Sequence, residues 1–529
     1  MRKITLAAML SMMASLSFAQ LVNDGATITI KNGATLYVES DVTNNGAGAI
    51  NIEGTGILEV QGNLTNNATL TTQAPSKVKF SGAANSNFKS NGATISNLEI
   101  SKNNSTVTLT DAASVSGVLE FGSGTSSKML LGANNLVLGT GASASGHDAD
   151  EYVVTNSTGV VQKNYTDNTY TNQSFTFPVG DASIYSPLTS SLSGTASGAN
   201  IKVKVTNADQ PNRATTLPEA TSYLTRYWSV DATGITSYSN VLTGQYNTID
   251  DIVGTAARVK GSSFLTPNWS FAGAANNLLT PSVTGTVTAD PVDFTGTDAL
   301  NGVNITALLV GAMPGAGSTM TSDLQNYFGG NTGLLPNTSP YGAPTSTYAN
   351  INNPAGAAGQ VTDWVKVEVR AESNPGTILE TRSLILKNNG QIVDPTGKIP
   401  YFKESTSPVQ LAVQHRNHLG VISNPIASFS GATVAYDFTT GLAQAYNAGG
   451  DPAQMVQKNG EWCMIYGDIN SDFSVDAIDI TLGKTAFNNG ISDEYNASDI
   501  NMDGVVDAID ITLVKIAFAA GYYSTLINF

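Results

Sequence analysis

Charge is scarce in this chain: 12% of its 529 residues are Asp, Glu, Lys or Arg, against roughly 25% in an average soluble protein. Bases are the scarcer sign, 25 Lys and Arg against 41 Asp and Glu, for a formal net charge of −16. Without a basic stripe to displace counterions from phosphates, nucleic acid is not an expected partner. Cysteine occurs once, at Cys463, so no internal disulfide can staple a domain, and packing, repetition or metal must do so. Flanked by Trp462 and Met464, that cysteine reads as an apolar filler. Of three histidines, His415 and His418 stand three apart in an expected strand, where they would face opposite ways rather than chelate one ion. After the N-terminal stretch no run of about 18 apolar residues occurs, so no transmembrane segment is expected. No nucleophile-elbow, Walker, zinc-protease or dinucleotide motif stands out.

What fills the gap is Gly, Ser, Thr, Asn and Ala interleaved with β-branched residues, a mixture that favours short strands and tight turns. The expected fold class is mainly β and multidomain. Residues 1–19 read as a secretory signal peptide: Arg2 and Lys3, an apolar stretch, then Ser17 and Ala19 before the cut. The expected location is therefore secreted, extracellular or cell-surface associated. Residues 20–142 are quasi-periodic, with apolar alternations (Ile28, Ile30; Leu36, Val38; Ile50, Ile52; Leu58, Val60) between Asn-Gly corners. Strands this short bury a face only by stacking coil on coil, which predicts a β-solenoid, with a meander of hairpins as the alternative. His147-Asp148-Ala149-Asp150, at its end, reads as a solvated turn rather than a metal corner.

Longer alternating runs over 150–310 predict a β-sandwich with Trp228 and Trp269 in its core and Pro178 and Pro187 at strand ends. Residues 311–350, rich in Gly, Pro and Asn, read as a linker, and 351–440 as a second β-sandwich. Asp363-Trp364-Val365 and the string His415-Arg416-Asn417-His418-Leu419-Gly420 resemble a module recurring in extracellular proteins of the Bacteroidota. Glu368 and Glu380 sit in alternating strands, where exposure is the default. No pair of carboxylates can be assigned to glycoside hydrolysis from the sequence, so no catalytic residue is named.

The richest signal lies at the end. GDINSDFSVDAIDITLGKTAF, beginning at Gly467, is followed by SDINMDGVVDAIDITLVKIAF, beginning at Ser498. Asp468, Asn470, Asp472, Ser474, Asp476 and Asp479 fall at positions 1, 3, 5, 7, 9 and 12 of a calcium loop; Asp499, Asn501, Asp503, Val505, Asp507 and Asp510 repeat them. A hard cation wants six to eight oxygens, which short Asp and Asn side chains on a tightly curved loop supply. Position 7 gives only its backbone carbonyl, so Ser474 and Val505 both serve. Eleven acids against two bases, Lys484 and Lys515, crowd residues 461–529, so metal binding and folding should be coupled there. Two Ca2+ ions are expected. The first site should be the weaker, because Phe473 occupies position 6, where φ > 0 is needed and the second loop has Gly504. Each loop leads into a helix, expected to turn Leu482, Phe487, Leu513 and Phe518 inward and Lys484 and Lys515 outward.

A calcium loop with Asp at position 12 and a single following helix, duplicated within 461–529, resembles a type I dockerin. The resemblance implies a cohesin-like partner, contacted by loop positions 10 and 11, which here are Ala477 and Ile478, then Ala508 and Ile509. Modules of this kind usually carry a carbohydrate-active enzyme, but with no active site legible in the chain the expected role is that of a secreted modular protein, structural or adhesive, with glycans as further ligands. The alternative is an accessory or enzymatic component of extracellular polysaccharide degradation; an enzyme here would be a glycoside hydrolase or polysaccharide lyase. A third reading has the helical module clasping the second β domain and binding no partner, in which case Ile478 and Ile509 would be buried.

Overall fold

Successive turns of the N-terminal repeat stack in parallel. Leu21 lies opposite Val42, and Val42 opposite Leu64, so one coil takes 21 or 22 residues. The computed structural model describes residues 20–529 apart from 123, 125, 218–219, 267, 272–276, 299, 343–345, 404, 406, 428 and 430–432; the expected signal peptide lies outside the described residues. The chain forms two compact units, Met1–Pro211 with Ser222–Thr297, and Asn212–Thr221 with Asp298–Phe529.

In the first unit each coil contributes three short strands, one to each of three parallel faces. One face runs from Leu21–Asp24 through Val42–Asn45 and Leu64–Asn66 to Val179–Gly180. A second runs from Thr35–Val38 to Ser143–Ser145, and the third starts with Thr27–Ile30, Ala49–Ile52 and Thr69–Thr72. Alternate side chains point inward, so Ile50, Ile52, Leu58, Val60, Val78 and Phe80 line a continuous dry core. This is the β-solenoid expected from the corners and alternation. Asn23 donates to Asn44 and Asn44 to Asn66, each at 2.8 Å, forming a buried ladder between coils. Outside, Lys77 bridges Glu99 and Glu120 at 2.7 Å, and Lys79 stands between Glu59 and Glu99 at 3.6 and 3.5 Å. Buried Lys102 donates to Gln61 O, Ser81 O and Ser86 Oγ, and burial pushes its amine down to about 8.

Val161–Asn164 pairs antiparallel with the long strand Leu188–Thr206, which pairs in turn with Tyr227–Gln245. Trp228 is buried there, its indole N–H donating to Ser186 O at 2.8 Å. Trp269 is also buried, and Pro178 and Pro187 flank strands. Arg226, fully buried, pairs with Asp251 at 2.9 Å and Asp181 at 2.6 Å.

The second unit is built on an antiparallel sheet whose centre is Val361–Ala371, between Asn374–Lys387 and Val409–His415. Nearly every residue of Val361–Ala371 is buried. Residues 311–350, read from composition as a linker, instead add Met313, Met320, Leu324, Leu335 and Tyr348 to this core. The Trp364 indole donates to Pro336 O at 2.9 Å, which fixes that segment over the sheet. Cys463 is buried, as expected of a filler. Among the described residues no helix is long and apolar enough to cross a membrane.

Several side chains depart from expectation. Glu368 is buried, because Arg370 at 2.6 Å and Gln414 at 2.9 Å satisfy it. Glu380 accepts from Lys403 N–H at 2.8 Å. His415 and His418 do not diverge: Arg416 and Asn417 form a two-residue turn between Val409–His415 and His418–Ile422, and the histidines pair across it, ring centroids 5.1 Å apart. Residues 147–150 form the turn expected of them: Asp148 accepts from Asp150 and Glu151 N–H, and His147 is held by Tyr185 at 2.6 Å.

Candidate calcium-binding module

The two acid-rich segments fold into nearly superimposable hydrogen-bond patterns. In the first loop, Asp468 accepts from the backbone N–H of Asp472 at 3.0 Å and of Phe473 at 3.1 Å. In the second, Asp499 accepts from Asp503 at 3.2 Å and Gly504 at 3.0 Å. The position-12 carboxylates reach back: Asp479 takes N–H bonds from Ile469, Asn470 and Asp476, and Asp510 takes them from Ile500, Asn501 and Asp507. At position 9, Asp476 and Asp507 cap the helices Ala477–Asn488 and Ala508–Ala520, each completing a capping box with position 12. The backbone is left-handed at positions 4 and 6 of both loops: φ is 58° at Ser471, 71° at Phe473, 60° at Met502 and 89° at Gly504.

Carboxylates are concentrated at the mouths and closing positions of both loops. Asp468, Asp479, Asp499 and Asp510 are buried. Burial, then the facing Asp479, pushes the Asp468 carboxyl up to about 8. Burial pushes Asp499 up to about 7, against the opposing pull of the Arg416 guanidinium. Asp479 and Asp510 are raised as well, chiefly by burial. Buried carboxylates that disfavour one another's charge make a site where a divalent cation supplies the missing counter-charge. Asn470 and Asn501 donate to Asp472 and Asp503, at 2.7 and 2.8 Å. Among the described residues no three acidic side chains are gathered as a closed metal cage. Cation binding would therefore exchange part of this hydrogen-bond set for ligation.

Each helix buries one narrow face. Ile469, Val475, Ile500, Val514 and Ala517 form a small core with Leu419 and Ile465. Gly483 lets Ile511 approach to where a Cβ would meet it at 3.1 Å. Leu482, Phe487 and Phe518 are not inward: they are 38%, 45% and 44% exposed. Inward positions are taken by Gly483, Val514 and Ala517 instead, since small residues bring the helices close. Ala477 and Ala508 are exposed, and Ile478 and Ile509 are each 53% exposed.

Residues 466–518 match the family model of the Dockerin type I domain. That segment is a type I dockerin. The curated proteins offer no match to the chain. Type I dockerins bind calcium, and the acids, amides and carbonyls of both loops suit that ion. Asp468, Asn470, Asp472, Asp476, Asp479 and the Ser474 carbonyl would hold one ion. Asp499, Asn501, Asp503, Asp507, Asp510 and the Val505 carbonyl would hold the other.

The dockerin is packed into its unit on the loop side. Phe473 contacts the cluster of Ala412, Ile422 and Leu526. Tyr327 lies where a Cβ on Gly504 would come within 2.3 Å of its ring, and its hydroxyl donates to Asp493 at 2.7 Å. The turn residues Arg416 and Asn417 also touch the second loop. The signal in the sequence is an Arg-Asn pair between two histidines amid apolar strands, while its role is set by partners distant along the chain.

Proposed function

We propose that this chain is a secreted modular protein that docks, in calcium, to a cohesin-like partner through the exposed Ala477-Ile478 and Ala508-Ile509 pairs. The observation that carries this reading is the equal exposure of Ile478 and Ile509, at identical loop positions, beside further exposed apolar helix residues, Phe487, Ile516 and Phe518. A module serving only as an internal cap would bury them. Calcium acts structurally: it fixes the loop that aims each Ile at the first turn of its helix. The β units then present a surface to neighbouring proteins or glycans, a structural or adhesive role. Support for that role is that the acids and bases on the outer solenoid face are spent on one another, between coils.

Two ions bind, the first loop more weakly, because Phe473 holds a left-handed backbone that glycine adopts without cost. Duplication permits the partner to engage in either of two orientations. The test uses the full chain, since the dockerin shares its packing with the sheet domain. Immobilised chain is offered a panel of purified type I cohesin modules, with calcium and then with chelator. Ile478→Asp and Ile509→Asp singly should weaken capture only a few-fold, and together abolish it. Absence of binding to every cohesin, or binding that chelator leaves intact, overturns the reading.

A further inference from the structure

The backbone leading into the second calcium loop is held by a β-hairpin turn from another part of the unit. Asn417 Nδ2 donates to Asp499 O at 2.7 Å and to Ala497 O at 3.1 Å. Asp499 is position 1 of that loop. The carbonyl of Asn417 accepts from Gly467 N–H at 2.8 Å, the residue just before position 1 of the first loop. One turn residue thus touches the entry of both loops, but its side chain serves only the second.

Around it the anchoring is buried and directional. Arg416 donates to Asn496 O through Nη1 and to Asp363 through Nε at 2.8 Å. Tyr495, in the same loop approach, donates its hydroxyl to Asp363 at 2.6 Å and lies 4.4 Å from the Arg416 guanidinium. His418 takes the Gly311 N–H on Nε2 at 3.0 Å, so its other nitrogen carries the proton and donates to Asn417 Oδ1 at 2.7 Å. That bond fixes the Asn417 amide with its NH2 towards Asp499. Gly311 is itself pressed against the second loop: a Cβ there would meet Ile500 O at 2.2 Å.

We infer that the 415–418 hairpin is a calcium-responsive clasp: an ion in the second loop locks the hairpin and the sheet behind it, and the hairpin sets that loop's calcium affinity. The reasoning is thermodynamic. Asp499 contributes its side chain to the ion and its carbonyl to Asn417, so ordering either end orders the other, and the coupling is reciprocal. Loss of the ion loosens a segment that keeps Asp363 and Arg416 paired in a dry site, where an unpartnered charge is costly. The first loop lacks a side-chain anchor from the turn, so its coupling is weaker. The sheet domain and the dockerin then act as one calcium-dependent body, which holds a docked partner at a fixed angle to the sheet rather than on a tether.

The inference rests on calcium binding by the second loop, not on docking. The test is hydrogen exchange by mass spectrometry on the full chain, with calcium and with chelator, alongside calorimetric calcium titration. Calcium should protect the amides of 409–422 as well as those of 466–518. At the turn itself, 415–418, Asp503→Ala should abolish the protection and Asp472→Ala should leave most of it, whereas the flanking strands, on which Phe473 packs through Ala412 and Ile422, respond to both. In return, Asn417→Ala should raise the second site's Kd by about tenfold, with the first changed by less than about threefold. Should Asn417→Ala fail to fold, Tyr495→Phe, which removes one hydroxyl, should raise the second Kd by about threefold. Normal calcium binding with protection confined to 466–518, or a second Kd indifferent to these variants, overturns the clasp. A flat titration of the native chain would instead sink the calcium reading itself.

Discussion

The two calcium loops differ at three of their twelve positions, Ser471 against Met502, Phe473 against Gly504 and Ser474 against Val505. Their internal hydrogen bonds agree to within a few tenths of an ångström, so the loop conformation is a local property of the shared Asp and Asn residues. Their surroundings do not agree. In the first loop the position-6 side chain is an aromatic anchor on Ala412, Ile422 and Leu526; in the second that space belongs to Tyr327. Divergence between the copies at position 6 is therefore explained by what each loop packs against. A repeat can keep its chemistry and still be specialised by its neighbours.

That contrast can be broken in graded ways. Chelation tests what both loops share and should have the largest effect. At free calcium about 100-fold above Kd, each ion contributes about 2.7 kcal/mol. Denaturant unfolding of the full chain should therefore show the second unit weakened by roughly 5 kcal/mol in chelator if both sites fill. A midpoint that calcium does not move would deny metal any role in stability. Next is the swap Gly504→Phe, which puts a side chain into the Tyr327 ring while keeping a left-handed backbone. A cost of about 3 kcal/mol or more is expected, together with loss of the second calcium event in a titration.

Phe473 offers a smaller and more informative pair. Phe473→Ala keeps the backbone strain and discards the packing, and should cost about 2 kcal/mol. Phe473→Gly discards both, and should recover about 1 kcal/mol of that while tightening the first site. Equal effects of the two variants on the melting curve would mean that position 6 stores no strain. A last comparison concerns the clasp beside the second loop and is read from the pH slope, since removing the Asp363 charge also leaves buried Arg416 unpaired at a cost of about 3 kcal/mol or more. Burial opposes the charge on Asp363, but Arg416, with hydrogen bonds from His415 and Tyr495, outweighs it and holds the carboxyl well below its usual range. A depressed carboxyl stabilises the fold above its unfolded value of about 4 and loses that contribution as pH falls. Asp363→Asn should thus flatten the acid limb of the stability curve of the second unit below about pH 4.

Much of this was legible in the sequence because its signals are local. Coil stacking follows from the alternation of Ile50, Ile52, Leu58 and Val60 between Asn-Gly corners, and loop geometry follows from Asp spacing. The signals that failed are those set by distant partners. Arg370 is two residues from Glu368 in sequence, yet the buried Glu368 is also satisfied by Gln414 from another strand. The two-residue turn that brings His415 onto His418 contains neither Gly nor Pro, so strand geometry alone sent the rings apart. Composition marked 311–350 as a linker, although Met320, Leu324 and Leu335 already supplied the apolar contacts that tie it to the sheet. Helix periodicity suggested inward Leu482 and Phe487, whereas the close approach of two short helices buries Gly483, Ile511, Val514 and Ala517 instead.

Calorimetric titration of the full chain with calcium, run beside Asp468→Ala and Asp499→Ala, tests the central claim most directly. Two binding events should appear in the native chain, the weaker one missing from Asp468→Ala and the tighter one missing from Asp499→Ala. A single event, no event, or a tighter site that survives Asp499→Ala would contradict the account.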